Sequence, residues 1–279
     1  MAIISISRGC YSSGRQIAEA VASTLGYDCV NREIILDAVR YFNISETELL
    51  KSLEEAPGFI NRLTHGKEKY IAYFRAALLE HVKNDNVVYH GHAGHLLLPQ
   101  VRHLLKVRIN ADMKLRIKNL QNEENLLADE AEKKLHKEDA RRYEWTKLLY
   151  NKDIRDSMLY DIVFHVGSLS LNNICDLICS TVESNSFKTR PEDEQLFKDT
   201  AIISHIHAAL QDICEAEVTS HEGNVSIRVF PAKIRKTNYT NLTTQKRIDE
   251  QMKAELLGEI MNIVRQISGI RHVVCDIGL

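Results

Sequence analysis

The run Ser5-Ile6-Ser7-Arg8-Gly9-Cys10-Tyr11-Ser12-Ser13-Gly14-Arg15-Gln16 holds the residue types and spacing best suited to chemistry. Gly9 and Gly14 fit the phosphate-binding pattern G-x-x-x-x-G-K-[ST], with Arg15 replacing lysine and Gln16 replacing the hydroxyl residue. Such a loop would hold an anion with backbone amides and the positive end of a helix dipole. Arg15 keeps the cation, whereas Gln16 removes the hydroxyl usually offered to magnesium. The same residues could form an ordinary tight strand-to-helix connection. A second group is His90-Gly91-His92-Ala93-Gly94-His95. Its histidines would need a shared open face and a third ligand to hold a metal, which spacing does not supply, so no metal site is expected.

Both groups need elements to position them. Ala2 to Ile6 reads as a short buried strand, and Ile17, Ala18, Val21, Ala22 and Leu25 recur at helical spacing behind the loop. Tyr27 to Val30 forms a second strand, ending at Asn31-Arg32-Glu33, and strand ends in parallel α/β sheets face the ligand crevice. Asn31 could equally cap the helix expected from Ile34 to Val39. From Ile44 to Asn84 the chain is helical and charged, with a break at Ala56-Pro57-Gly58 and capping-box spacing at Ser45 and Glu48. Arg62, Lys67, Lys69 and Arg75 are cations in this interval, and none stands out. Asn86 to His92 and Leu104 to Ile109 are strands, Met113 to Leu120 a helix, and Asn125 to Tyr150 a long charged helix. Ile162 to Val166 is the last strand of the series, closed by a helix carrying Cys175 and Cys179 on its core face.

The 279 residues suggest one large domain or two smaller ones, with 44% apolar residues enough for a packed core. A formal charge of −2 gives no overall reason to expect nucleic acid or an anionic membrane. No window approaches a membrane span and no signal peptide precedes the first strand. With six scattered cysteines, this points to reduced thiols in a cytoplasm.

The loop resembles the S-R-E-F-G-S-G-G-R-E segment of the cytidylate kinase-like family, a branch of the P-loop nucleoside monophosphate kinases. Arg8, Ser12, Gly14 and Arg15 match it. Gly9 replaces glutamate, Tyr11 and Ser13 replace glycines, and Gln16 replaces glutamate. Losing two glycines makes close backbone approach to phosphate harder. Further on, Tyr27 to Glu33 resembles Y-D-R-E with Asn31 in place of aspartate. The run His90-Gly91-His92-Ala93-Gly94-His95 at the end of its strand resembles V-I-V-G-R-G-A, with Gly91 and Ala93 matching and His92 in place of arginine. Asp139 and Arg142 match the D-x-x-R of the family's lid, with Arg141 adjacent, and Arg155 to Val166 resembles D-P-x-x-Y-D-L-V-L-N-T through Asp156, Tyr160 and Asp161.

The resemblance implies an α/β fold, a P-loop kinase-type parallel sheet flanked by helices over residues 1–183. It implies phosphate binding by Gly9, Ser12, Ser13, Gly14, Arg15 and Gln16, with ATP and Mg2+ as donor and cofactor. Arg15, Arg141, Arg142, Arg155 and Asp156 would carry catalysis. Asn31, Arg32, Gly91 and His92 would bind the acceptor. Lid arginines of this kind spread the charge of the transferring phosphoryl group and exclude water, whereas a solvated helix is the plain alternative.

A polar stretch from Glu183 to Gln195 reads as a linker, giving boundaries of 184–197 for the linker and 198–279 for a small α+β domain. Its expected order is a helix (Asp199 to Ile213), strands at Glu217 to Ser220 and Asn224 to Phe230, a helix (Ile248 to Ile267) and a strand (Ile270 to Ile277). This αββαβ order resembles a BON domain, which implies a phospholipid or other small ligand. Pro231 to Arg247 carries Lys233, Arg235, Lys236, Lys246 and Arg247 with no acidic residue, a loop that could grip phosphate-rich surfaces or simply be solvated. The function expected is phosphoryl transfer from ATP to a nucleoside monophosphate. The alternative is a degenerate nucleotide sensor signalling to the C-terminal domain. A homodimer is compatible with either.

Overall fold

A computed structural model of the protein describes residues 2–31, 33–42, 66–91, 93–98, 101–230 and 242–278. The chain forms two compact units, Met1–Asp193 and Glu194–Leu279. Elements are numbered over the described residues.

The first unit is built on a five-stranded sheet of order β2-β3-β1-β4-β5. Its strands are β1 (Ile3–Arg8), β2 (Asp28–Val30), β3 (Val87–His90), β4 (Leu104–Ala111) and β5 (Ile162–Val166). All pairings are parallel, with Ile6 of β1 opposite His90 on one side and Val107 on the other. The β1 apolar run places Ala2, Ile4 and Ile6 on one face of the sheet. There they meet Ile17, Val21 and Ala22 of helix α1 (Gly14–Leu25) and Ile174, Ile178 and Val182 of α7 (Leu171–Val182). Each fully buried isoleucine in such a layer contributes roughly 1.5–3 kcal/mol, so this core anchors the loop at both ends. Cys175 and Cys179 lie in this core, and none of the six cysteines forms a disulfide.

The opposite face is more polar. Ser5 and Ser7 are 1% exposed there, and the Tyr160 hydroxyl, which donates to Ile154 O at 2.9 Å, lies 3.3 Å from Ser7 Oγ. Helices α2 (Glu33–Phe42), α3 (Gly66–Val82) and the short α4 (Gly94–Leu97) belong to the region between β2 and β4. The capping box at Ser45, the Ala56-Pro57-Gly58 break and Arg62 lie outside the described residues. Helix α5 (Met113–Glu124) follows β4, and α6 (Ala128–Tyr150) follows it directly. The expected helix start at Asn125 falls instead in a left-handed turn, because Asn125 closes α5 with φ 55° and its amide bonds Gln121 O.

The stretch read as a linker is largely structured. A 3-10 turn spans Asn185–Phe187, and helix α8 (Pro191–Leu210) begins eight residues before the expected Asp199. Proline suits the first helical position, and Glu192, Asp193 and Glu194 complement the helix dipole there.

In the second unit α8 is followed by β6 (Ala216–His221), β7 (Asn224–Val229), α9 (Leu242–Val264) and β8 (His272–Ile277). The separate three-stranded sheet has order β6-β7-β8, antiparallel then parallel. Val225, Ile227 and Val229 alternate inward against Ile206, Ile260 and Val264. Asp199 accepts hydrogen bonds from the amides of Glu222 (2.8 Å) and Gly223 (2.9 Å), fixing the hairpin turn to α8. Most of the basic loop, residues 231–241, lies outside the described residues.

Candidate phosphate site

The loop between β1 and α1 is held by its own sequence and by α5. Gly9 N donates to Ile109 O at 3.0 Å, and the buried Ser12 hydroxyl donates to Gly9 O (2.9 Å) and Ile109 O (3.1 Å). Tyr11 and Ser13, which stand where glycines were expected, both adopt the left-handed conformation, with φ 57° and 62°. The glycine-type backbone is therefore retained without glycine, at a cost of about 1–2 kcal/mol per residue. Partners across the fold offset that cost. Asn119 Nδ2 donates to Tyr11 O (2.9 Å) and Ser13 Oγ (3.3 Å), and Tyr11 OH donates to Glu124 Oε1 at 2.9 Å. Burial and the Glu124 bond push the Tyr11 phenol up to about 12, so it remains a donor. Cys10 is 3% exposed against Leu120, Ala131 and Leu135, and burial pushes its thiol pKa up, which disfavours the thiolate.

At the start of α1, Ser13 makes no side-chain capping bond. Among the described residues no hydrogen bond takes up the amides of Gly14, Arg15 or Gln16, which leaves them for an anion. Gly14 has a steric reason as well. A Cβ there would lie 2.7 Å from Arg8 Cβ and 2.8 Å from its Cδ, so only glycine lets the Arg8 side chain pass.

The expected site residues fall into three groups. Arg142 reaches the loop, since its Nη1 donates to Arg8 O at 3.1 Å. Gly9, Ser12, Ser13 and Gly14 form the loop itself, and Gln16 is exposed beside it. Arg15, Arg141, Arg155 and Asp156 are engaged locally. Arg15 Nε bonds Glu19 Oε1 at 2.7 Å with 68% of its side chain exposed. Arg141 donates to Glu138 at 2.6 Å. Arg155 grips Asp153 through two bonds of 3.0 and 2.8 Å and lies 4.2 Å over the Tyr143 ring. That grip pulls Asp153 down to about 2. Asp156 caps a 3-10 turn by accepting from Met158 N at 2.9 Å. Of the acceptor group, Asn31 Nδ2 sits 3.3 Å from His90 Nε2, and Gly91 N donates to Ile6 O at 3.3 Å. Arg32 and His92 lie outside the described residues.

Sequence reasoning assigned no role to Arg8, Tyr89, Arg116 or Asn119. Arg116 Nε donates to Cys10 O at 2.7 Å while its other nitrogens hold Asp139. Tyr89 packs over Gly91 and Gly94, where a Cβ would meet its ring at 2.7 and 2.1 Å. Burial pushes its phenol up to about 12, against the pull of Arg8 and Arg142. A signal for Arg8 was present, in its match to the loop pattern, and so was one for Arg15, in the Glu19 four residues on.

Residues 3–168 match the cytidylate kinase-like family, which is more than half of the chain. The chain belongs to the cytidylate kinase-like family. Among solved structures, an uncharacterised protein from Eubacterium ventriosum is 16% identical, with a TM-score of 0.52 over 66% of this chain and 100% of its own. Shikimate kinases from Bacteroides thetaiotaomicron and Acinetobacter baumannii are each 13% identical, with TM-scores of 0.41 and 0.38. They cover 66% and 67% of this chain and 99% and 96% of their own. No curated protein matches the chain.

A cytidylate kinase-like chain implies nucleotide and, usually, magnesium. The loop suits polyphosphate, but it offers little to the metal. The Ser12 hydroxyl is turned inward onto two carbonyls, Gln16 has no hydroxyl, and Asp139 is taken by Arg116. The described residues hold no group of three or more His, Cys, Asp or Glu able to take a metal. No helix among them is long and apolar enough to cross a membrane.

Proposed function

We propose that this chain is a cytoplasmic phosphotransferase that moves the γ-phosphoryl group of ATP to a nucleoside monophosphate. The observation that carries this reading is the Arg142–Arg8 contact, which lays a cation of the long α6 helix on the phosphate loop. The free amides of Gly14 to Gln16 hold the donor phosphates, and Arg142 stabilises the charge spread over the transferring group. An acceptor phosphate oxygen bonds to the γ-phosphorus as the bond to the β–γ bridging oxygen breaks. The bridging oxygen keeps the electron pair, and two nucleoside diphosphates leave. No protein nucleophile is required, in keeping with the buried Cys10 thiol. On resemblance, Asn31, Arg32, Gly91 and His92 bind the acceptor, for which cytidine monophosphate is the first candidate.

A second reading is favoured by Arg15 and Gln16. The first is engaged with Glu19 and the second lacks a hydroxyl. A protein that binds nucleotide without turnover, and signals to a C-terminal ligand-binding domain, would tolerate both. The αββαβ order of the second unit supports a BON-like assignment, with a phospholipid or other small ligand. Calorimetry with ATP followed by a product assay decides between the two. Binding with nucleoside diphosphate formed supports the transferase; binding without product supports the sensor. No binding overturns both.

A further inference from the structure

We infer that Arg8, at the end of β1, is the cation that seats the terminal phosphate of the donor, in the role the loop pattern assigns to Arg15. The inference rests on the phosphate-binding reading above and goes beyond it in naming the residue. Four observations lead there. The Arg8 side chain lies directly along Gly14, in the space a Cβ would otherwise fill. Its Nε is buried and, among the described residues, has no hydrogen-bond partner. Arg142 binds the Arg8 carbonyl, and its charge acts on the Arg8 guanidinium, so a second cation is close by. Finally, among the described residues no carboxylate forms an ion pair with either Arg8 or Arg142.

A buried guanidinium nitrogen without a partner is costly, and two neighbouring arginines repel. Burial lowers the Arg8 pKa, and the Arg142 charge lowers it further. A phosphoryl group supplies what both lack, a multidentate anion in a water-poor site. Arg15 is placed differently, exposed along α1 with a carboxylate already bound.

The inference separates a ligand-binding arginine from a structural one, because the two respond oppositely to removal. Arg8→Gln, Arg8→Lys and Arg15→Gln are compared with the parent by melting temperature without ligand. Calorimetry then uses a non-hydrolysable ATP analogue, ADP and inorganic tripolyphosphate. The expected result is that Arg8→Gln loses the preference for triphosphate over diphosphate by roughly tenfold or more. Arg15→Gln loses less, Arg8→Lys restores part of the preference, and ligand-free Arg8→Gln melts no lower than the parent. An unchanged triphosphate preference in Arg8→Gln overturns the inference while leaving the nucleotide reading intact. So does equal loss for both nucleotides with a melting temperature lowered by about 4 °C or more. Arg8-dependent binding of tripolyphosphate with no nucleotide bound supports the seat and removes the nucleotide reading. No binding of any probe overturns both.

Discussion

Arg116 holds Asp139 through two parallel hydrogen bonds of 2.8 and 2.7 Å, while its Nε reaches Cys10 O at 2.7 Å. One guanidinium therefore joins three pieces of chain: the phosphate loop, α5 and α6. Arg142 follows Asp139 by three residues on α6, so the same clamp sets the height at which Arg142 meets the loop.

Replacing Asp139 by Ala leaves Arg116, 8% exposed, with an unpaired charge. The cost should be about 2–3 kcal/mol, reduced from the fully buried range because Asp139 is partly exposed. Urea denaturation of parent and variant measures it. A change under about 0.5 kcal/mol would mean that the clamp is not holding the loop.

Ser13→Gly should stabilise the protein by about 1 kcal/mol, because a left-handed residue loses its Cβ strain there. The weak bond from Asn119 to Ser13 Oγ, at 3.3 Å, removes little of that gain. Thermal melts read the effect, and a destabilised variant would show that the Ser13 conformation carries no strain.

Gln16→Thr should introduce a magnesium dependence of nucleotide binding, since it places a hydroxyl at the position where such loops offer one to the metal. Titrations with and without magnesium, for parent and variant, provide the comparison. Identical dependence in both would place the metal elsewhere.

Stability should fall in mildly acidic solution through His95. The ring is 4% exposed and, among the described residues, neither nitrogen has a partner; burial lowers its pKa to about 4, with Lys106 and Arg108 adding to the shift. The folded value is below the ordinary 6.5, so the unfolded chain binds the extra proton. The stabilisation is complete above pH 6.5 and is lost as pH falls toward 4, on the order of 3 kcal/mol. His95→Phe should flatten this part of the stability curve. An unaltered slope between pH 6.5 and 4 would assign the acid sensitivity to other groups.

Much of the first unit was legible because its signals are local. The apolar run of β1, the helical spacing of α1 and the loop composition each act within about a dozen residues. In the second unit the strand expected at Asn224 to Phe230 is likewise β7, Asn224–Val229. What could not be read depends on contacts between distant segments or on partner choice. Asn119 steadies Tyr11 from 108 positions away, so the left-handed loop residues looked like losses when they are supported substitutions. Arg155 looked like a lid cation because its type and motif fit, yet Asp153, two residues earlier, takes it. Arg8 matched the loop pattern, but its path along Gly14 could not be read from sequence. Pro191, a turn signal in sequence, opens a helix because its acidic neighbours suit the first turn.

The central claim is that Arg142 and the phosphate loop act together on a transferring phosphoryl group. Its most direct test is product formation by purified protein given ATP and each common nucleoside monophosphate, with Arg142→Ala assayed beside the parent. The account predicts nucleoside diphosphate from the parent, cytidine monophosphate being tried first, and a loss of roughly 10²-fold or more in kcat for Arg142→Ala. Binding of ATP with no product from any acceptor, or equal turnover in the Arg142→Ala variant, would contradict it.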